Sequence, residues 1–191
     1  MATKWYEEDK LMEELSFESL NQSHFQVIHE WFNKPHVQKF YSLRSWTFEE
    51  VQKKLLPYVQ GAKQMNCFVI FHSKQPIGYI QSYPLKDHPW EDQDLPHEII
   101  ENAAGIDLFI GEESFLGKSM GHMIVIRFLE KWIWPFYQYC LADPDIQNKA
   151  SIRLFQKSGF SEHKQIKSKD ALQRPVVLQL FIMKKESSFQ A

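Results

Sequence analysis

The segment Leu116-Gly117-Lys118-Ser119-Met120-Gly121-His122 joins a compact apolar stretch ending at Ile110 to a strongly apolar run, and reads as a turn that opens a helix. Main-chain amides at a helix start lack intrahelical acceptors and carry partial positive charge, and glycine lets a ligand come close to the backbone. Such a turn suits a phosphate or pyrophosphate, although any strand-to-helix connection also needs a turn. It is neither a P-loop nor a dinucleotide fingerprint, because the glycine, lysine and serine spacings of both are missing. A few residues upstream stands Asp107, a strand-end carboxylate suited either to solvent or to an ammonium partner. It belongs to a run of nine acids (Asp87, Glu91, Asp92, Asp94, Glu98, Glu101, Asp107, Glu112, Glu113) that contains no Lys or Arg. A run of one sign is either solvated or attracts a polycation. The eight histidines show no zinc spacing, so no metal site is expected. Cys67 and Cys140 are too few and too far apart for a disulfide framework or a C-x-x-C motif, and read as reduced, buried thiols.

The elements that must position these groups follow from periodicity. Leu15–Leu20 alternates apolar and polar residues as a first strand. His24–Phe32 has helical spacing, with Asn21 or Ser23 as its cap and Pro35 as its stop. Thr47-Phe48-Glu49-Glu50 is a capping box, which predicts a helix to about Val59 closed by Gly61. Cys67–Phe71 and Ile77–Tyr83 flank Ser73-Lys74-Gln75-Pro76 and predict an antiparallel hairpin, followed by a long polar loop. Ile106–Ile110 predicts a strand, and Gly121 onward a helix stopped by Pro135. Phe136–Leu141 reads as a buried strand, and Asn148–Ser158 as a helix ending at a left-handed Gly159. Phe160–Lys167 and Val176–Met183 complete a last strand pair, whose exposed final strand could pair with a second subunit. The sum is an α/β chain with a central sheet of mixed direction covered by helices. We expect one domain over 15–184, with tails at 1–14 and 185–191.

Asp143-Pro144 followed by Asn148, Ala150, Ile152, Phe155, Lys157, Gly159 and Phe160, taken with the turn at 116–121, resembles the acetyl-coenzyme A core of the GNAT acetyltransferases. Those enzymes carry Arg/Gln-x-x-Gly-x-Gly/Ala and then Asn-x-x-Ala-x-x-x-Tyr-x-x-x-Gly-Phe. His29–Asn33, Pro76–Tyr83, Gly105-Ile106-Asp107 and Asp143-Pro144 further resemble the aminoglycoside 6'-N-acetyltransferases, from about Leu15 to Met183. The resemblance implies a GNAT-like fold, a mostly antiparallel twisted sheet whose central strands splay apart. It implies that amides of Lys118, Ser119, Gly121 and His122, with Leu116, Gly117 and Met120 in the same turn, hold the pyrophosphate. Pantetheine would lie along Leu108, Phe109 and Ile110, opposite Cys140–Ala142, with Asn148 and Phe155 also touching the cofactor. Asp107 would bind the substrate amine and accept its proton, while Phe40, Tyr41, Gln81, Trp90 and Asp143 line the acceptor pocket.

Leu116 and Ser119 depart from the first motif. Phe155 stands where many relatives have a tyrosine that protonates the departing thiolate, which implies slower turnover, and Leu55 replaces a pocket tyrosine. The reading is therefore an acetyl-CoA dependent N-acetyltransferase for a small cationic amine, with the aminoglycoside 6'-amine first. Acylation of a siderophore-precursor or polyamine amine is one alternative, and a coenzyme A binding module without turnover is another. With 191 residues and a net charge of -2, nothing points to nucleic acid or an anionic membrane as partner. No export signal or spanning stretch is visible, so a cytoplasmic monomer or homodimer is expected.

Overall fold

A computed structural model describes residues 14–88 and 94–186. Trp90 and both expected terminal tails, apart from Glu14, Lys185 and Glu186, lie outside the described residues. Seven strands are hydrogen-bonded in the order β1-β2-β3-β4-β5-β7-β6: β1 (Leu15–Ser19), β2 (Asn66–His72), β3 (Gln75–Pro84), β4 (Ala103–Ile110), β5 (Tyr139–Ala142), β6 (Ser161–Lys169) and β7 (Pro175–Lys184). The β4–β5 pair is parallel, while β1–β2, β5–β7 and β6–β7 are antiparallel. This is the mixed, mostly antiparallel sheet flanked by helices that the sequence implies. β7 lies inside the sheet and β6 is its edge, contrary to the expected exposed final strand. The long antiparallel ladder from Ser161 to Lys169 places the hairpin's first strand outermost.

The chain forms two compact units, and β3 and β4 each contribute to both. The first unit runs to Gln81 and adds Leu108–Arg127. Asn21 settles the open cap: its side chain accepts from Ser23 N while His24 Nδ1 accepts from Asn21 N, which starts a short turn leading into α1 (Phe25–Phe32). Pro35 does not stop that helix. α1 ends at Asn33, and Pro35 occupies the first position of a new helical turn, where its missing N–H costs nothing. A wide turn over Gln38–Ser42 follows. The capping box closes on both sides, with Thr47 Oγ1 accepting from Glu50 N and Glu50 accepting from Thr47 N, at the head of α2 (Phe48–Val59).

Apolar faces of α1 and α2 meet β2 and β3 in a core of Phe25, Ile28, Trp31, Phe32, Val51, Leu55, Val69, Tyr79 and Phe109. Gly78 is demanded there, because a Cβ at that position would collide with the carbonyl oxygen of Phe109 on the neighbouring strand. Leu55 is fully inside this core.

The second unit comprises Ser82–Asp107 and Phe128 onward. The predicted long polar loop contains a helical turn at Leu85–Asp87 and α3 (His97–Glu101). Leu85, Leu95, Ile99 and Ile100 hold it against Ala103, Leu141, Ile166 and Leu180, so scattered apolar residues fold what charge alone suggested was solvated. The expected strand from Phe136 begins only at Tyr139, since Phe136 is 74% exposed on the turn after the preceding helix. α5 (Lys149–Lys157) is capped by Asn148 and ends before Gly159, whose φ of +88° is the left-handed value expected of it. The free thiols Cys67 and Cys140 are both buried.

Candidate active site

In the first unit, α4 (Met120–Phe128) opens after a turn in which Gly117 and Ser119 take φ of +73° and +58°. Left-handed backbone at these positions turns the chain sharply and aims successive amides outward, as in an anion-binding concavity. Ser119 adopts it without glycine's freedom, a strain of about 1 kcal/mol or more. The space around Gly117 is open, and the first turn of α4 carries no acidic residue. His122 N already donates to Ser119 O at 3.1 Å, closing that turn. The segment leading into it is pinned. Gly111 N and Glu112 N both donate to Ile77 O, Trp31 Nε1 donates to Glu112 Oε1 at 2.6 Å, and Lys34 Nζ stands 3.0 Å from the same oxygen. These donors hold the Glu112 carboxyl below its usual range even though desolvation opposes them.

In the second unit, the parallel ladder runs from Ala103–Tyr139 to Gly105–Leu141. Two residues beyond the last ladder pair, Gly105–Leu141, stand Asp107, still in β4, and Asp143, just past the end of β5. Desolvation pushes the Asp143 carboxyl up to about 8, with the negative charge of Asp107 adding to the rise. Burial and the neighbouring charge thus both favour the protonated form of Asp143. Pro144 O accepts from Gln179 N at 2.9 Å, which ties the Asp143 turn to β7.

The remaining candidates fall into smaller groups. Tyr41 packs edge-on against Phe109, with ring centroids 4.6 Å apart, and close to Tyr79. Tyr79 Oη donates to Gln81 Oε1 at 2.9 Å, so Tyr41, Phe109, Tyr79 and Gln81 form one cluster in the first unit. Phe40 is half-buried under Lys39. Leu108 and Ile110 are half-buried, while Leu116 is 41% exposed. Asn148 spends Oδ1 as the cap acceptor for Ser151 N. Phe155 is buried against Phe160 and Phe181 and offers no hydroxyl.

The acidic run is less available to a polycation than its sequence suggests. Glu112 faces Lys34, Glu101 faces Lys86, Asp94 faces Lys164, and Glu113 faces His36. Among the described residues, no group of three or more His, Cys, Asp or Glu side chains comes together for a metal, and no helix is long and apolar enough to cross a membrane. Sequence reasoning missed Tyr79, although the period-two alternation Tyr79-Gln81-Tyr83 puts it on the same face as Gln81.

A family profile described as "Acetyltransferase (GNAT) domain" matches residues 21–168. The chain belongs to the GNAT acetyltransferases. It is an acyltransferase that uses acetyl-CoA, and the turn at 117–121 fits that cofactor's pyrophosphate in backbone conformation and local charge. Aminoglycoside N(6')-acetyltransferase type 1 of Klebsiella pneumoniae and that of Serratia marcescens are each 27% identical over 150 residues, 75% of this chain and 72% of theirs. A crystal structure of the aminoglycoside acetyltransferase AAC(6')-Ib with coenzyme A shares the GNAT fold, at TM-score 0.75 and 22% identity over 90% of this chain and 95% of that one. Spermidine N-acetyltransferase from Vibrio cholerae, solved with CoA and spermine, shares it too, at TM-score 0.70 and 14% identity over 90% and 96% of the two chains.

Proposed function

We propose that this GNAT enzyme, acting in the cytoplasm as one domain over residues 15–184, acetylates the 6'-amine of aminoglycosides by direct attack of the amine. The observation that carries this reading is the aspartate pair, in which the charge of Asp107 adds to the rise of the Asp143 carboxyl. A cationic amine presented to these groups meets the negative charge of Asp107. Asp107 pairs with the ammonium and takes its proton, which leaves the nitrogen lone pair for bond formation. Asp143, holding its own proton, donates a hydrogen bond to a substrate oxygen, or ionises when a second ammonium arrives.

Acetyl-CoA supplies an activated acetyl thioester. Amides from Lys118 to Gly121 hold its pyrophosphate, with His122 beside them at the helix start, and Leu116 and Met120 shape the same turn. Along Leu108, Phe109 and Ile110, whose amides alternate between the two edges of β4, those directed away from β3 would face the pantetheine arm and thioester and polarise the carbonyl as negative charge develops. The side-chain amide nitrogen of Asn148 donates to pantetheine while Oδ1 caps its helix. Phe155 packs and supplies no proton, so the departing thiolate takes one from water or from the substrate side. Phe40, Tyr41, Gln81 and Trp90 contact the acceptor.

Thiol release from acetyl-CoA with kanamycin and tobramycin tests the reading. Turnover lost in Asp107→Asn supports it, and no turnover with any of a broad aminoglycoside panel removes it. A polyamine acceptor is the second reading, because an acidic pair also suits a flexible diamine. Turnover with spermidine and indifference to aminoglycosides would favour it.

A further inference from the structure

The hydroxyl of Tyr79 is deeply buried and lies between two polar side chains, the thiol of Cys67 and the carboxamide of Gln81. Cys67 is on β2, and Tyr79 and Gln81 are two steps apart on β3, so all three belong to the first unit. Ring contacts hold the phenol in place: Phe109 stacks on it at 5.7 Å, and Tyr41 meets its edge at 6.4 Å. Burial pushes the phenol far above its ordinary titration range, so it keeps its proton at any working pH. That proton is donated to Gln81 Oε1 at 2.9 Å.

A carboxamide has two different ends, and fixing one fixes the other. With Oε1 turned toward Tyr79, the NH2 of Gln81 is turned away from it, and its two hydrogens can serve more than one acceptor. A donor of this kind recognises a hydroxyl or ether oxygen and gives nothing to an ammonium. We propose that Tyr79 is a positioning residue that sets the carboxamide of Gln81 as a hydrogen-bond donor and so selects amines that also carry oxygen, aminosugars, over plain polyamines. This inference rests on the placement of Gln81 in the acceptor site. It assigns to Gln81 an oxygen of the substrate and not its reacting nitrogen.

The test compares kcat/KM for kanamycin with that for spermidine in the wild type, Tyr79→Phe and Gln81→Glu, with the KM for acetyl-CoA measured alongside. Tyr79→Phe keeps the ring stack and removes only the orienting proton. It should lower the kanamycin-to-spermidine ratio about tenfold, the size of one directed hydrogen bond, through KM for kanamycin and with KM for acetyl-CoA unchanged. Gln81→Glu keeps an oxygen toward Tyr79 and replaces the donor end with a second acceptor, so it should shift the ratio further toward spermidine. A ratio that stays constant in both variants, or a uniform loss across both amines and acetyl-CoA, overturns the inference and leaves the proposed function standing. A wild type that acetylates spermidine in preference to kanamycin, or neither amine, overturns both.

Discussion

Two ring donors of the first unit are each committed to a defined acceptor: the Tyr79 phenol to Gln81, and the Trp31 indole to a Glu112 that Lys34 also faces. Around Asp107 and Asp143 the opposite holds, because burial and then the charge of Asp107 raise the proton affinity of Asp143. The first arrangement holds geometry at rest and contributes directed bonds. The second carries an electrostatic cost, which in the proposed mechanism an incoming ammonium would offset. The proposed acetylation of a cationic amine would use both: directed donors to fix the partners, and a negative charge beside the nucleophile.

Substitutions separate the two arrangements. The largest effect belongs to the acidic pair: Asp107→Asn should lower kcat/KM for the amine by about a hundredfold to ten-thousandfold while KM for acetyl-CoA stays put, as read by thiol release at saturating cofactor. Next comes the rigid region. Gly78→Ala drives a methyl group into the Phe109 carbonyl, and should cost about 1–3 kcal/mol in denaturant unfolding as β3 and β4 separate.

Asp143→Asn should act on stability more than on turnover, because asparagine copies the neutral acid present near pH 7. The folded Asp143 carboxyl titrates above the unfolded one, so the native state binds the extra proton between the two values, and wild-type stability falls as pH rises through that window. The variant escapes this loss. Its melting temperature should exceed the wild type's by an amount that is smallest near pH 4, grows toward about pH 8 and is constant above it. The smallest effect is expected at Glu112→Gln, which keeps an acceptor for Trp31 and loses the charge facing Lys34. For this half-exposed pair the cost should be below about 1 kcal/mol, and it should vanish as pH falls through the depressed Glu112 value, where the wild-type carboxylate also loses its charge.

What the sequence made legible was local. The Thr47–Glu50 capping box, the Asn148 cap, the left-handed Gly159 and the alternation of the hairpin strands all depend on residues a few positions apart, and each recurs in the structure. The turn at Leu116–Gly121 was visible for the same reason, whereas the left-handed backbone of Ser119 was not. What escaped depends on distant partners. Pro35 looked like a terminator, because its use as the first residue of another helical turn is decided by packing of Val37 in the core. The acidic run looked uniformly exposed because Lys34, Lys86 and Lys164 come to it from elsewhere in the chain. Asp107 and Asp143 were each singled out. Their proximity was not, since it follows from the pairing of two strands that a long crossover separates.

The account turns on one protonation state, and carboxyl carbon NMR of Asp143 reads it directly. The prediction is a titration near pH 8 in the wild type, falling in Asp107→Asn to a lower value that still exceeds the ordinary carboxylate range, because burial is the larger of the two causes. An Asp143 that titrates at the ordinary value in the wild type, and does not respond to loss of Asp107, would contradict it.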